Sequence, residues 1–280
     1  MSTIGWRERR KLRVAATYVL LSIVVVAFLA PLVWTVLTSL KTPLEASSIP
    51  PVWKFKPIWS NYVAAWNSQG FGIAFWNTTY ESLLSILLSL VLAVPAAYSL
   101  ARFRIRGKET VGAGLIVIRM LPEMLILIPL YALYRRTGLY DTPLGVILAF
   151  QIFNLPYSIW LLRQFIAQVP VEIEQAARVD GCTTGQVLRL VVLPLIAPGV
   201  FATAILDLII IWTNLLIPLA LTQSNSPLVA TAIANFQGYG SFNQPLIAAA
   251  SIIAIAPQFV FFLFAQRYII QGLTLGAVKG

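Results

Sequence analysis

Six long apolar runs constrain this chain more than any other feature. They lie near residues 14–37, 76–101, 113–134, 143–163, 198–221 and 246–270. Each exceeds the ~18 residues that mark a membrane-spanning helix. Backbone amides and carbonyls have no water to bond in hydrocarbon, so a span must satisfy them within itself. The runs are continuously apolar and lack the period-two alternation of barrel strands, which leaves helices. The expectation is an all-α integral membrane protein with six transmembrane helices, forming a single transmembrane domain over residues 1–280.

Composition excludes several other classes. Hydrophobic residues make up 59% of the chain and charged ones 11%, too few for a soluble domain of 280 residues to cover its surface. With no histidine and one cysteine, Cys182, an internal disulfide is impossible and a Cys/His zinc site is not expected. The net charge of +10 would suit nucleic acid, but the basic residues cluster beside apolar runs, as topology signals do. Fourteen Lys and Arg fall in the N-terminal tail, the alternate loops and the C-terminal tail, against five in the opposite loops. That imbalance places both termini in the cytoplasm. The Arg135–Arg136 pair runs against it without reversing it. The basic residues from Arg7 to Arg13 precede a run too long for a signal peptide, and no clear cleavage site follows. The first run is expected to remain as a span.

The loop from about Thr38 to Phe75 interleaves Pro43, Pro50, Pro51 and Pro57 with Trp53, Trp59 and Trp66. Prolines stiffen it and indoles suit a membrane–water boundary. It reads as an interfacial cap or as a docking ledge for an extracytoplasmic partner.

The segment at 169–197 is the most informative. Pro170 fits the first turn of a helix, and Glu172 and Glu174 complement its dipole. Asp180-Gly181 stops that helix. Thr183 with Gln186 three residues on is a capping box that starts another at once. Pro194 and Pro198 end or kink the second helix before the fifth span. The product is an elbow of two short helices around Gly181, with little bulk at Ala176 and Ala177. Those features serve an ordinary amphipathic loop as well as a partner-docking surface.

Here the residues also carry a resemblance. Gln175-Ala176-Ala177, then Gly181, Val191, Leu193 and Pro194, resemble the EAA loop of ATP-binding-cassette (ABC) importer permeases, E-A-A-x3-G-x9-I-x-L-P. Gln175 departs from the first position and Val191 from the isoleucine. Glu174 just before matches the E-E-A-A variant of the maltose-type carbohydrate permeases. Shorter matches to that family follow in order along the chain: Asn61-Tyr62, Phe75 to Thr78, Ile128 to Tyr131, Gly138 to Thr142, Leu155 to Tyr157 with Trp160, Trp212 to Leu219, and the tail Gly272 to Gly280. In the fifth-span pattern W-N-x-F-x-x-P-L, Thr213 stands for the asparagine and Leu215 for the aromatic.

The resemblance implies a multi-pass cytoplasmic-membrane permease subunit that moves a sugar, oligosaccharide or small glycoside by alternating access. It implies a homologous second permease, two ATPase subunits and an extracytoplasmic sugar-binding protein as partners. Glu174, Gln175, Ala176, Ala177, Asp180, Gly181, Leu193 and Pro194 would seat in the ATPase. The chain itself lacks a G-x-x-x-x-G-K-[ST] loop, since Gly107-Lys108 is followed by Glu109 without the upstream glycine. ATP and magnesium therefore belong to the partner, and this chain is expected to bind no cofactor. Alternatives are an importer permease for a polyol or glycerol-phosphate-type solute and, from a different class, a membrane-embedded lipid-linked glycosyltransferase. The latter needs a paired acidic or metal site, and no such motif appears.

Charges inside spans cost on the order of 2.5–3.5 kcal/mol and need a partner or an aqueous cavity. Arg119 and Glu123 stand four residues apart on the third span, where a continuous helix would pair them, or would let them line a pathway. Asp207 has no partner nearby in sequence and is expected to meet a neighbouring helix or the second permease. Glu81 is expected near the outer interface. Asn154, Tyr157, Trp212, Thr213 and Asn214 supply uncharged hydrogen-bonding groups and aromatic faces near Pro156 and Pro218. They are candidates for the substrate pathway, with core packing as the alternative.

Overall fold

A computed structural model describes residues 6–68, 70–238 and 243–277. Part of the C-terminal tail, 278–280, lies outside the described residues. Among the described residues all regular structure is helical. In order the elements are α1 (Trp6–Ser39), α2 (Pro43–Ser47), α3 (Ser60–Asn67), α4 (Phe71–Arg102), α5 (Lys108–Met120), α6 (Glu123–Thr137), α7 (Pro143–Gln168), α8 (Val171–Val179) and α9 (Thr184–Gln186). A π-helical stretch (Val187–Val192) follows, then α10 (Leu193–Leu195), α11 (Ala197–Thr213), α12 (Leu216–Leu221), α13 (Val229–Gly238) and α14 (Gln244–Ala277).

Four of these helices are long and apolar enough to cross a membrane, and the number reaches six if each of two bent pairs is one span. The third expected span is the pair α5–α6, bent by 86°. Pro122 explains the break. A residue before proline is pushed out of the α region, and Leu121 is extended at ψ 136. The stretch expected as the fifth span, 198–221, is divided at Asn214. Pro218 would clash with the carbonyl of that residue in a continuous helix. The chain instead turns extended there, and the Asn214 Oδ1 accepts from the Ile217 N–H at 2.9 Å to start α12.

The chain divides into two compact units, Met1–Asn67 with Phe236–Ile253, and Ser68–Asn235 with Ala254–Gly280. In the first, α1 exposes large apolar side chains all round, Tyr18, Leu20, Ile23 and Phe28 among them, as a helix facing lipid or a partner does. The proline–tryptophan segment is folded. Thr42 and Glu45 form a capping box on α2, and the Asn61 amide donates to the Ser39 and Lys41 carbonyls at 2.8 and 2.9 Å. The ammonium of Lys41 lies over Trp34 and Phe55, 4.9 and 5.1 Å from their ring centroids, so two π faces stabilise a buried cation.

The second unit is built on α4 against α7, its most extensive helix pair. Two apolar clusters fill it. One joins Leu127, Val146, Phe150, Leu208, Ile211 and Trp212. The other joins Ala93, Ala97, Ile159, Leu162, Ile166, Val187 and Val192 beside the elbow.

Candidate functional site

The elbow forms at the residues whose chemistry specifies it. Pro170, at φ −57, precedes α8, and Glu172 and Glu174 occupy the first turn. The helix ends where the Asp180, Gly181 and Cys182 N–H groups turn back to the Ala176, Arg178 and Ala177 carbonyls at 3.0, 3.1 and 3.0 Å. Gly181 sits at φ +90, a left-handed conformation that a side chain rarely adopts. At the capping box the Thr183 N–H donates to Gln186 Oε1 at 2.8 Å, and the Gln186 N–H donates to Thr183 Oγ1 at 3.4 Å. The second arm then continues in π-helical form to Val192, which the sequence did not suggest. Beyond Ile196 it meets α11 at a bend of 76°. There Gly199 lies against the Phe165 ring so closely that a β-carbon would overlap it.

The surface this elbow presents consists of exposed Gln175, Ala176, Asp180, Gly181 and Pro194, with Ala177 and Leu193 half-buried. Glu174 departs from expectation. Its carboxylate is turned inward, 2% exposed, and pairs with Arg102 at the end of α4, Nε to Oε1 at 2.5 Å. Tyr98 OH donates to its other oxygen at 2.8 Å. The acid is therefore satisfied within its own chain. Arg102 also donates through Nη2 to the Ile166 and Val169 carbonyls at 2.8 and 2.6 Å, at the end of α7, where the last carbonyls lose their i+4 helical donors. Sequence reasoning missed Arg102, read only as a topology charge, and Tyr98. The one signal that could have found them was a buried acid needing a cation.

The expected Arg119–Glu123 pair does not form. Such a pair needs one continuous helix, and the break at Pro122 puts the residues on α5 and α6. The Arg119 guanidinium stacks over Tyr157, 4.7 Å from its centroid. Glu123 accepts from the Asn214 amide, 3.1 and 3.0 Å to its two oxygens. Asp207 does meet a neighbouring helix: Ser158 Oγ on α7 donates to Oδ2 at 2.6 Å, and Ser89 on α4 donates to that same Ser158 at 3.2 Å. Glu81 is buried inside the bundle and accepts from Ser226 Oγ at 2.6 Å.

Of the pathway candidates, Tyr157 lines a cavity of about 180 Å³ with Leu115, Ile116, Arg119 and Trp160. Asn154 and Trp212 lie inside the bundle. Asn154 is 0% exposed with both amide atoms unpartnered, and Trp212 donates through Nε1 to the Ala254 carbonyl at 2.9 Å. Thr213 is exposed and spends its hydroxyl on the Ile209 carbonyl. No group of three or more His, Cys, Asp or Glu side chains able to hold a metal occurs among the described residues.

At the end of the second unit away from the elbow, Asp141 fixes the α6–α7 turn to the segment after α12. Its carboxylate accepts from the N–H groups of Gln223, Ser224, Asn225 and Ser226 at 2.7–3.3 Å. Its own N–H donates to the Leu221 carbonyl at 2.9 Å. Burial raises the carboxyl's pKa, but the four amides together outweigh that and hold it below the ordinary aspartate value.

These features are those of a permease, and the comparisons with known proteins agree. Residues 89–275 match the family described as binding-protein-dependent transport system inner membrane component. The chain is 38% identical to the trehalose transport system permease protein SugB of Mycobacterium tuberculosis, over 95% of this chain and 98% of that one. It is 33% identical to the sulfoquinovosyl glycerol transport system permease protein SmoH of Agrobacterium fabrum, over 94% and 93%. The fold matches a chain in the crystal structure of a bacterial ABC transporter involved in the import of the acidic polysaccharide alginate. There the TM-score is 0.73 at 23% identity, with 96% of this chain and 99% of that chain covered. The chain belongs to the family of binding-protein-dependent inner-membrane transport components. It is a multi-pass ABC importer permease, a transport subunit and not an enzyme.

Proposed function

We propose that this permease carries a sugar, oligosaccharide or small glycoside inward by alternating access, driven through the elbow by separate ATPase subunits. The observation that carries the reading is the capped elbow, with Gly181 at positive φ and small side chains at its exposed tip. It stands in a chain whose relatives are named for trehalose, sulfoquinovosyl glycerol and diacetylchitobiose. All three are glycosides or glycosidic disaccharides. The lysine and arginine balance supports cytoplasmic termini and a cytoplasmic elbow. A second, homologous permease would complete the pathway, and an extracytoplasmic binding protein would deliver the solute. ATP and magnesium are held by the ATPases in this reading.

In the mechanism, nucleotide binding closes the ATPases, which carry the elbow with them. The spans rock, the cavity opens outward to receive solute, and hydrolysis restores the inward state. The aromatic and polar groups around Tyr157, Trp160 and Arg119 offer a ring face and hydrogen-bond donors of the kind a saccharide uses. Gly181→Val forces a β-branched residue into a left-handed conformation, and Ala177→Trp overfills the docking face. Both are expected to reduce ATPase co-purification or uptake of labelled trehalose and diacetylchitobiose at least ~10-fold, the scale of 1.4 kcal/mol of lost contact. Full association and full uptake in both variants would remove the elbow from the mechanism. Transport of glycerol 3-phosphate with no glycoside transport would replace the solute class.

A further inference from the structure

The two arms of the elbow are attached to the membrane bundle in physically different ways. The first arm, α8, is held by directional polar bonds. Arg102 reaches Glu174 on α8 and two terminal carbonyls of α7, and Tyr98 on α4 holds the second Glu174 oxygen. One guanidinium thus bonds three elements, and its planar fork fixes their mutual orientation as well as their distance. The pair is buried, with side chains 10% and 3% exposed, so little water competes for these bonds.

Among the described residues the second arm has no comparable clamp. Val187, Val192 and Ile196 pack into an apolar cluster with Leu162, Ile166 and Val169 of the α7 end, and such contacts are non-directional. The backbone there is π-helical from Val187 to Val192, a form found mostly in short stretches and often at functional sites. The 76° bend follows at once. Packed apolar surfaces slide, whereas a forked ion pair does not.

We propose that Arg102 is the positioning residue that makes α8, α4 and α7 one rigid lever, with the π-helical arm and the bend before α11 as its hinge. This rests on the docking of the elbow to an ATPase proposed above. Displacement of the elbow is then delivered to the α4–α7 pair, and α11 changes its angle to that pair.

Cys182 is the single cysteine of the chain and sits at the elbow tip, half-buried. It accepts one spin label in the otherwise native permease. A second label goes on α4 through Ser99→Cys, at a half-buried side chain, or on α11 through Ile209→Cys, at an exposed one. Both pairs are measured by pulsed electron resonance in the complete reconstituted complex, with and without AMP-PNP and magnesium. The 182–99 distance is expected to stay unchanged while the 182–209 distance shifts. An equal shift in both pairs would overturn the lever. If neither pair responds, the docking reading fails, and the lever with it. The clamp is read separately, without nucleotide. Arg102→Lys retains the charge but loses the fork, and Tyr98→Phe loses one bond to Glu174. Both should broaden the 182–99 distribution, Arg102→Lys more, and leave 182–209 no narrower. An unchanged 182–99 width in both variants would show that Arg102 does not position the elbow.

Discussion

The two ends of the second unit are each tied by one charged residue, but the partners differ in kind. At the elbow end Arg102 binds another side chain, Glu174, together with two carbonyls. At the far end Asp141 binds four backbone N–H groups and no side chain. The elbow clamp can therefore be broken from either side, and breaking it strands a buried charge. The far clamp can be broken only at Asp141, because no substitution short of proline removes a backbone amide. A side-chain pair suits a joint that must carry load in one orientation, whereas a ring of amides pins a loop whatever its sequence.

The largest effect should follow from breaking the elbow clamp on one side. Arg102→Gln leaves Glu174 buried without its cation, a loss of about 3–5 kcal/mol, seen as a lower unfolding temperature of the purified permease in detergent. Replacing both partners with apolar residues, Arg102→Met with Glu174→Leu, should recover most of that loss, since neither charge then needs solvation. A double variant no more stable than Arg102→Gln would mean that the two carbonyl bonds, and not the ion pair, dominate.

Asp141→Asn should cost less, about 1–3 kcal/mol. Asparagine tolerates the positive φ of 58 seen at this position and keeps one acceptor oxygen, so the loss reports the charge together with the bonds of the other oxygen. Unfolding temperatures of the two proteins at neutral pH measure it.

The same residue predicts a pH dependence. Its folded pKa lies below the ordinary value, so its stabilisation is complete above the unfolded value of about 3.9. It is lost as pH falls through the lower folded value. Wild type and Asp141→Asn should therefore converge in unfolding temperature only below about pH 4. A constant difference down to the lowest attainable pH would place the effect elsewhere than in the charge.

The smallest effect is expected at Gln223→Ala and Asn225→Ala. Their amides, not their side chains, meet Asp141, so each should stay within about 0.5 kcal/mol of wild type. A loss as large as that of Asp141→Asn would show that the far end is a side-chain network after all, and the contrast between the two ends would fall.

Much of this architecture was legible because local chemistry acts alone at the relevant positions. Apolar length identified the spans, and the elbow's capping box and the positive φ of Gly181 followed from Thr183, Gln186 and the Asp-Gly stop. Pro122 stands within the run at 113–134, and apolar length alone does not show that it breaks the helix. The 86° bend it introduces is what separates Arg119 from Glu123.

By itself the sequence determined the membrane class, the approximate positions of the long apolar helices and the place of the elbow. Each depends on residues within a turn or two of one another, or on the summed hydropathy of one run. Only the tertiary structure decided where the charges point. Glu174 turns to Arg102 72 residues away, Asp207 to Ser158 across 49, and Asp141 to amides more than 80 residues on. A buried charge takes whichever partner packing brings within about 3 Å, and that choice is made by the meeting of helices, which no local pattern encodes.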